Sequence, residues 1–141
     1  MRSLILLLCA ITFINCAQDQ QSTPVAKTLS QQVDAFIQAD EYTDALTLLA
    51  QQEDSEEVAM LKEKTYLNYG LFLEYRDSDT TNMRDKMNGA LNQYIEVLKI
   101  NKDNEKAVSE IEQILGIYST FPDRQPEESV LADLKELGFN I

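Results

Sequence analysis

Residues 83–98 read MRDKMNGALNQYIEVL, and their apolar side chains recur at intervals of three and four positions. The apolar set consists of Met83, Met87, Ala90, Leu91, Tyr94, Ile95 and Leu98. An α-helix repeats about every 3.6 residues, so this spacing places all of these side chains on one face of a helix. The stretch therefore predicts an amphipathic helix that buries one face against its neighbours.

The segments that flank this helix carry the same pattern. A polar loop at residues 76–82 separates it from a long helix predicted over residues 55–75. Asp54 and Glu57 have the spacing of a capping box, in which two side chains satisfy the free N–H groups of a first helical turn. A turn at residues 101–104 leads to a fifth helix. The apolar face of that helix consists of Ala107, Val108, Ile111, Ile114, Leu115 and Tyr118.

Two shorter helices are predicted ahead of the long one. Thr28 and Gln31 have capping-box spacing and open the first of them. Its apolar stripe consists of Leu29, Val33, Phe36 and Ile37. We expect that helix to break near Ala39 and Asp40 to cap the next one, because Asp readily accepts hydrogen bonds from the N–H groups of a first turn. The second helix carries Tyr42, Ala45, Leu46, Leu48 and Leu49.

The last predicted helix has clear start and stop signals in the sequence. Pro126 suits a first helical turn, and the acidic residues that follow it favour the positive end of the helix dipole. Its inward side chains are Val130, Leu131, Leu134 and Leu137. Gly138 occupies the position of a left-handed C-cap, after which Phe139 can fold back onto Leu134 in a Schellman motif. No strand alternation or hairpin dipeptide is present, so the sequence predicts an all-α chain of about six helices joined by short loops.

The pairing of these helices resembles the tetratricopeptide repeat. The residues that match its first helix are Tyr66, Tyr69, Gly70 and Leu73, and those that match its second helix are Ala90, Tyr94 and Leu98. The resemblance implies antiparallel helical hairpins stacked in a right-handed solenoid, with residues 126–137 as a C-terminal capping helix. Lys102 and Glu112 depart from the motif, standing where the repeat has Pro and Gly. An unrelated helical bundle is the alternative.

The first residues of the chain resemble a bacterial lipoprotein signal. A basic start at Arg2 precedes a run of about 11 apolar residues, which is too short to cross a bilayer, and the run ends near Cys16. Asn15 departs from the usual Gly or Ala. The resemblance implies a signal peptide at 1–15, a Cys16 that carries acyl chains such as palmitate, and a flexible tether at 16–27. The helical repeat domain then covers 28–141.

This signal implies a location in the bacterial cell envelope. The lipid anchor attaches the protein to the membrane. Residue 17 is Ala and not Asp, which under the enterobacterial sorting rule favours the outer membrane, facing the periplasm. The chain has 12 Lys and Arg residues against 24 Asp and Glu residues. Such an acidic surface repels phosphate backbones, so we expect no nucleic-acid partner.

Catalytic and metal-binding patterns are absent from the sequence. There is no His, which removes the commonest general base, and Cys9 would leave with the signal peptide. The loop that contains Asp77 and Asp79 lacks the Gly and the terminal Glu of a calcium loop. We therefore expect no enzyme, no cofactor and no metal site.

A binding function remains. Stacked hairpins leave a concave groove, lined mostly by first helices, in which a protein or peptide partner can lie. The groove candidates are Lys64, Leu67, Asn68 and Leu71 on the third helix and Lys106, Ser109 and Gln113 on the fifth, with Leu71 as an apolar anchor. The same residues can also be plain solvated surface. Tyr66, Tyr69, Tyr75 and Tyr94 are expected to pack in the core, with a role as partner-binding aromatics as the alternative. The alternative function is a structural subunit packed permanently in an envelope complex.

Overall fold

The computed structural model describes residues 26–121 and 123–141. Within these residues the chain forms six α-helices and no β-strand, which confirms the all-α prediction. The helices are α1 (Leu29–Gln38), α2 (Tyr42–Ala50), α3 (Glu56–Tyr75), α4 (Met83–Ile100), α5 (Glu105–Ser119) and α6 (Glu128–Glu136). None of them combines the length and apolar character needed to span a membrane. The predicted signal peptide, Cys16 and the tether as far as residue 25 lie outside the described residues.

The N-termini of α1 and α3 follow the predicted capping chemistry, with a shift of one residue at α3. At α1 the backbone N–H of Gln31 donates to the Thr28 hydroxyl at 3.2 Å, and the Gln31 side chain accepts from the Thr28 N–H at 3.0 Å, so the capping box is confirmed. At α3 the prediction of Asp54 as the cap is wrong by one residue. Ser55 has the extended backbone of an N-cap, and its hydroxyl accepts from the N–H of Val58 at 3.2 Å.

Asp40 does not cap α2, contrary to the prediction. Glu41 occupies the N-cap position of α2 without a side-chain hydrogen bond. Asp40 instead has φ 59°, a left-handed conformation that short polar side chains tolerate better than most. Its carboxylate accepts hydrogen bonds from Tyr42 at 2.9 Å and from Arg76 at 2.6 Å. Asp40 therefore ties the turn between α1 and α2 to the end of α3.

The buried apolar side chains form two separate clusters. The larger cluster is built on α4, α5 and α6, and the second half of α3 packs against it. The smaller cluster consists of Val33, Ala45, Leu49, Val58 and Leu61, from α1, α2 and the start of α3. Only α3 contributes to both. Helices α3 and α4 share the most extensive interface of the described chain.

Gly70 lies at that interface, where the resemblance to the repeat leads us to expect close approach of the third helix to Ala90 of the fourth. The partner that touches it is the ring of Tyr94 rather than Ala90: a Cβ built on Gly70 would lie 2.4 Å from Cε1 of Tyr94. Tyr94 and Ala90 are both fully buried. The absence of a side chain at residue 70 therefore makes the space that the tyrosine ring fills.

The end of α6 confirms the Schellman motif. Gly138 has φ 93°, its N–H donates to the carbonyl of Lys135, and the N–H of Phe139 donates to the carbonyl of Leu134. The start of α6 differs from the prediction, because Pro126 is buried ahead of the N-cap rather than in the first turn. The N–H of the N-cap residue Glu127 donates to the side-chain oxygen of Asn88 at 3.0 Å, which fixes α6 to α4.

Candidate functional site: a surface on helices α3 and α5

The sequence-predicted binding residues belong to two rows of side chains. On α3, the residues Lys64, Asn68, Leu71 and Tyr75 follow one another at four, three and four positions, which places them in a row on one side of the helix. On α5, Lys106, Glu110 and Gln113 have the same spacing. Hydrogen bonds between Tyr75 and α5 bring the two rows together. We call these seven residues the α3/α5 face.

The α3 row is held mainly by contacts within the protein. The ammonium of Lys64 lies 2.6 Å from the carboxylate of Asp34 on α1, and both side chains are exposed enough to meet solvent. The Asn68 side chain donates to the carbonyl of Lys64 at 2.8 Å. Leu71 and Leu67 are half-buried and pack against the larger cluster. An exposed ion pair contributes only about 0–1 kcal/mol, so Lys64 remains free to exchange its partner.

The α5 row is organised around a buried carboxylate. The ammonium of Lys106 pairs with Glu110, whose side chain is almost fully buried, while Lys106 itself is exposed. The amide of Gln113 donates to the Tyr75 hydroxyl at 2.6 Å and to the Glu74 carboxylate at 3.1 Å. Ser109, another sequence candidate, is exposed. Lys106 and Gln113 are therefore both anchored to neighbours at one end.

Two tyrosines and two glutamates link α3, α4 and α5. The buried hydroxyl of Tyr94 donates to Glu74 at 2.8 Å, and the hydroxyl of Tyr75 donates to Glu110 at 2.6 Å. Gln113 joins the two pairs, since it donates to both Glu74 and Tyr75. Buried polar groups of this kind fix a packing arrangement when every member has a partner. We call this set the Tyr–Glu network.

The two carboxyl groups of the network have opposite pKa shifts. Burial raises the pKa of Glu74, and the hydrogen bond from Tyr94 only partly opposes it. Burial acts in the same direction on Glu110, but the hydrogen bonds from Lys106 and Tyr75 outweigh it and hold the pKa of Glu110 below its ordinary value. Burial and the neighbouring carboxylates raise the pKa of Tyr75 and Tyr94, which keeps both phenols protonated as donors.

Tyr75 is the member of the network that reaches the surface. Its side chain is 55% exposed, so the prediction that it packs in the core is wrong. Tyr94 is fully buried as predicted, and Tyr66 and Tyr69 are half-buried. Tyr75 is the last residue of α3, next to buried Glu74. Sequence reasoning missed Tyr75, Glu74 and Glu110 as a set.

The network predicts a pH effect on stability. Because the native state raises the pKa of Glu74 above its ordinary 4.5, native Glu74 holds its proton more tightly than the unfolded chain does. The free energy of unfolding should therefore fall as pH rises from 4.5 through the raised pKa. Glu74→Gln should remove this fall, so its stability relative to wild type increases with pH. Urea unfolding at several pH values between 4.5 and 7.5 measures the difference.

The control for this experiment is Glu112→Gln, which changes an exposed glutamate of α5. Glu110 acts in the opposite direction, since its lowered pKa contributes stability that is present above 4.5 and is lost as pH falls through the lowered value. The comparison of Glu74→Gln with wild type isolates Glu74 from that contribution. Parallel stability profiles for wild type and Glu74→Gln would contradict the prediction.

Glu74 and Glu110 lie close enough to influence each other's pKa, and neither lines the clefts at the C-terminal end of the described chain. Residues 26–121 and 123–141 contain no group of three or more acidic, His or Cys side chains able to hold a metal ion. The carboxylates support the exposed side chains from beneath.

Comparison of the chain with known protein families, with curated proteins and with solved structures finds no match.

Proposed function

We propose that the protein is a lipid-anchored adaptor of a bacterial envelope that binds a protein or peptide partner on the α3/α5 face. The proposed anchor is Cys16, which follows an apolar run of signal-peptide length. The proposed location is the outer membrane, with the helical domain facing the periplasm. The observation that carries the binding proposal is the exposed side chain of Tyr75, which belongs to the α3 row and is hydrogen-bonded to the α5 row.

Long-range side-chain contacts support a tetratricopeptide-like solenoid. Glu63, near the start of α3, accepts hydrogen bonds from Asn101 and Asn104 just ahead of α5, at 2.8 and 2.7 Å. The end of α3 reaches the middle of α5 through Tyr75 and Gln113. The first half of α3 thus lies beside the start of α5, and the end of α3 lies beside the middle of α5. The two helices therefore run in the same direction, as alternate helices of stacked hairpins do. Lys64 pairs with Asp34 in α1, and Arg76 at the end of α3 pairs with Asp40 just after α1, so α3 also runs in the same direction as α1.

Tyr75 has the properties of a binding anchor. Tyrosine is enriched among interface residues that dominate affinity, because it offers a large ring and loses few rotatable bonds on binding. Here the hydroxyl is already bound by Glu110 and Gln113, so the ring is held in place before a partner arrives. Lys64, Asn68 and Lys106 add exposed polar groups around it. A rigid ring with a polar rim favours recognition of another protein.

Truncating Tyr75 should therefore weaken partner binding. We expect Tyr75→Ala to raise the Kd for the native partner about tenfold or more, as loss of an aromatic anchor does. Tyr75→Phe keeps the ring and should retain most of the affinity. Both variants should be compared after the partner has been identified by photo-crosslinking in native membranes. Equal affinities of Tyr75→Ala and wild type would contradict this prediction.

The crosslinking experiment also separates the two candidate functions. A photoreactive amino acid is placed at Asn68 or Gln113 on the α3/α5 face, and at Asn92, an exposed residue of α4, as the matched control. The adaptor proposal expects the same crosslinked product from the first two positions and none from Asn92. Crosslinks from Asn92 alone would favour a structural subunit packed permanently in an envelope complex. Lys106→Glu is a poor variant for this purpose, because it would place a second negative charge against buried Glu110.

The anchor is tested by Cys16→Ala. Two or more acyl chains hold a protein stably on a membrane, so the variant should move from the membrane fraction to the soluble fraction. Labelling with an alkyne fatty acid should mark the wild-type protein and leave Cys16→Ala unlabelled. Cys9→Ala is the matched control, since Cys9 lies inside the predicted signal peptide. An unlabelled wild-type protein would exclude the lipoprotein proposal.

A further inference from the structure

A second candidate surface lies at the C-terminal end of the molecule. Two adjoining clefts of about 740 and 850 Å³ border the segment at residues 123–127, on the sides that face α5 and α6. They share the lining residues Gln125, Pro126, Leu131 and Lys135. Both volumes fall in the range of roughly 300–1,000 Å³ that is usual for ligand sites. We call the two together the C-terminal cleft.

Three of the six described cations without a carboxylate partner line the C-terminal cleft, and the other three, Lys27, Lys86 and Lys102, lie elsewhere. Five basic residues of the described chain form ion pairs, namely Lys62, Lys64, Arg76, Lys99 and Lys106. Arg84, Arg124 and Lys135 line the cleft and form none with any described residue. Carboxylates are twice as abundant as cations in this chain, and three of them also line the cleft, at Glu112, Asp123 and Glu128. Their placement leaves the three cations available to an outside anion.

A buried hydroxyl at the same cleft has no hydrogen-bond partner. The oxygen of Tyr118 is buried, and no described residue accepts or donates a hydrogen bond there. Tyr118 lines both the cleft beside Arg124 and a small apolar cleft that it shares with Arg84. Leaving a buried hydroxyl unpaired costs free energy, and a carboxylate oxygen would accept from it once the side chains that cover it move aside on binding. Burial raises the pKa of Tyr118, which keeps this hydroxyl a donor.

Exposed apolar side chains surround the charged groups. Phe121 and Ile141 line the larger cleft and are 46% and 44% exposed. The guanidinium of Arg124 lies over the Phe121 ring, 5.3 Å from its centroid, and this cation–π contact orients both side chains. Large apolar side chains exposed beside a cleft commonly mark a protein interaction site. The cleft therefore offers cations and apolar contacts side by side.

We infer that the C-terminal cleft binds an acidic segment of a partner protein, with its carboxylates against Arg84, Arg124 and Lys135 and its apolar side chains beside Phe121 and Ile141. Charge complementarity carries this assignment. Four α5 residues line the cleft, and at about 100° per residue all of them point away from the α3/α5 face: Glu112, Leu115, Tyr118 and Ser119. The inference does not rest on the function proposed for that face.

The first test uses a defined probe. A fluorescent peptide that alternates Glu or Asp with Leu or Phe is titrated with the full-length chain in detergent at low salt, and anisotropy reports binding. The matched probe carries Gln and Asn in place of the acids. We expect the acidic probe to bind at least about tenfold more tightly, because charge-assisted hydrogen bonds are replaced by weaker neutral ones. Equal affinity for the two probes would overturn the inference, and so would the absence of binding to both.

The second test determines whether the acidic probe binds in the C-terminal cleft. Arg124→Glu and Lys135→Glu should each raise the Kd about tenfold. Lys27→Glu changes the net charge of the chain by the same amount at an exposed site ahead of α1 and should leave the Kd unchanged. Tyr118→Phe keeps the ring and removes only the unpaired hydroxyl. It should weaken probe binding several-fold without lowering Tm, whereas a hydroxyl with no role in binding would leave the Kd at the wild-type value.

The same variants distinguish an acidic segment from two other occupants of the cleft, a second copy of this chain and a lipid surface. Self-association that Arg124→Glu abolishes, measured by sedimentation in the absence of probe, would assign the cleft to a second copy of this chain and overturn the inference. Binding to phosphatidylglycerol vesicles that depends on Arg124 and Lys135, without binding to the acidic peptide, would assign it to a lipid surface with the same consequence. Loss of peptide binding in Arg124→Glu and Lys135→Glu but not in Lys27→Glu would support the acidic-segment assignment.

Discussion

Gly70→Ala should destabilise the protein by about 3 kcal/mol, which for a domain of this size lowers Tm by roughly 10–20 °C. The added methyl group would lie 2.4 Å from a carbon of the Tyr94 ring, well inside van der Waals contact. Tyr94 cannot move aside easily, because it is fully buried and its hydroxyl is bound to Glu74. Thermal and urea unfolding of the variant measure the loss.

The matched control for this change is Gly116→Ala. Gly116 lies inside α5, and a Cβ built on it meets no atom within 4 Å. Alanine there removes only the flexibility of glycine in a helix, so the variant should gain about 0.5–1 kcal/mol. The two identical substitutions are thus expected to act in opposite directions. Similar changes in Tm for both would show that α3 and α4 do not approach each other at residue 70 as closely as the structure indicates.

Leu134→Ala should cost about 2–5 kcal/mol, the usual range for truncating a fully buried leucine. Leu134 has no exposed surface and belongs to the larger cluster, where α6 covers residues of α4. Its loss would leave a cavity. The helix end cannot move in to fill this cavity, because the Schellman turn at Gly138 holds it in place. Urea unfolding should show a lower midpoint with a similar slope if the domain still unfolds in one step.

Leu131→Ala is the control, because it removes the same atoms from the same helix at a half-buried position. Leu131 lines the C-terminal cleft instead of the cluster. We expect this variant to lose less than about 1.5 kcal/mol, since little apolar surface becomes newly exposed. A larger loss for Leu131→Ala than for Leu134→Ala would mean that α6 presents a different face to the core.

The helices could be predicted from the sequence because their signals are local. The apolar spacing of residues 83–98 defined α4, and the Gly138 signal defined the end of α6. The sequence does not distinguish between two adjacent short polar residues as N-caps, and Asp54 and Ser55 both suit that position. In the structure Ser55 is the N-cap because it has the extended backbone that the position requires. Asp40 was misassigned because a left-handed backbone at a non-glycine residue leaves no trace in the sequence pattern.

The Tyr–Glu network was harder to predict, although part of its signal was present. Glu74 follows Gly70 by four positions, and Glu110 lies between Ala107 and Ile114 on the apolar face of α5. A carboxylate in an apolar register is a sign of a buried polar partner. Which tyrosine pairs with which glutamate depends on how α3 and α5 meet, and no local pattern contains that information. The exposure of Tyr75 likewise depends on where the core ends rather than on the residue type.

The division of the apolar interior into two clusters has a consequence for cooperativity. Helices α1 and α2 contribute to the smaller cluster and meet the rest of the described chain chiefly through α3. They can therefore open as a foldon, exchanging their amide protons while α4 to α6 stay closed, because such an opening exposes only the smaller set of side chains. If the chain is tethered through the proposed Cys16 anchor, mechanical load would reach this foldon first, and the proposed binding surfaces on α3, α5 and α6 would lie behind it.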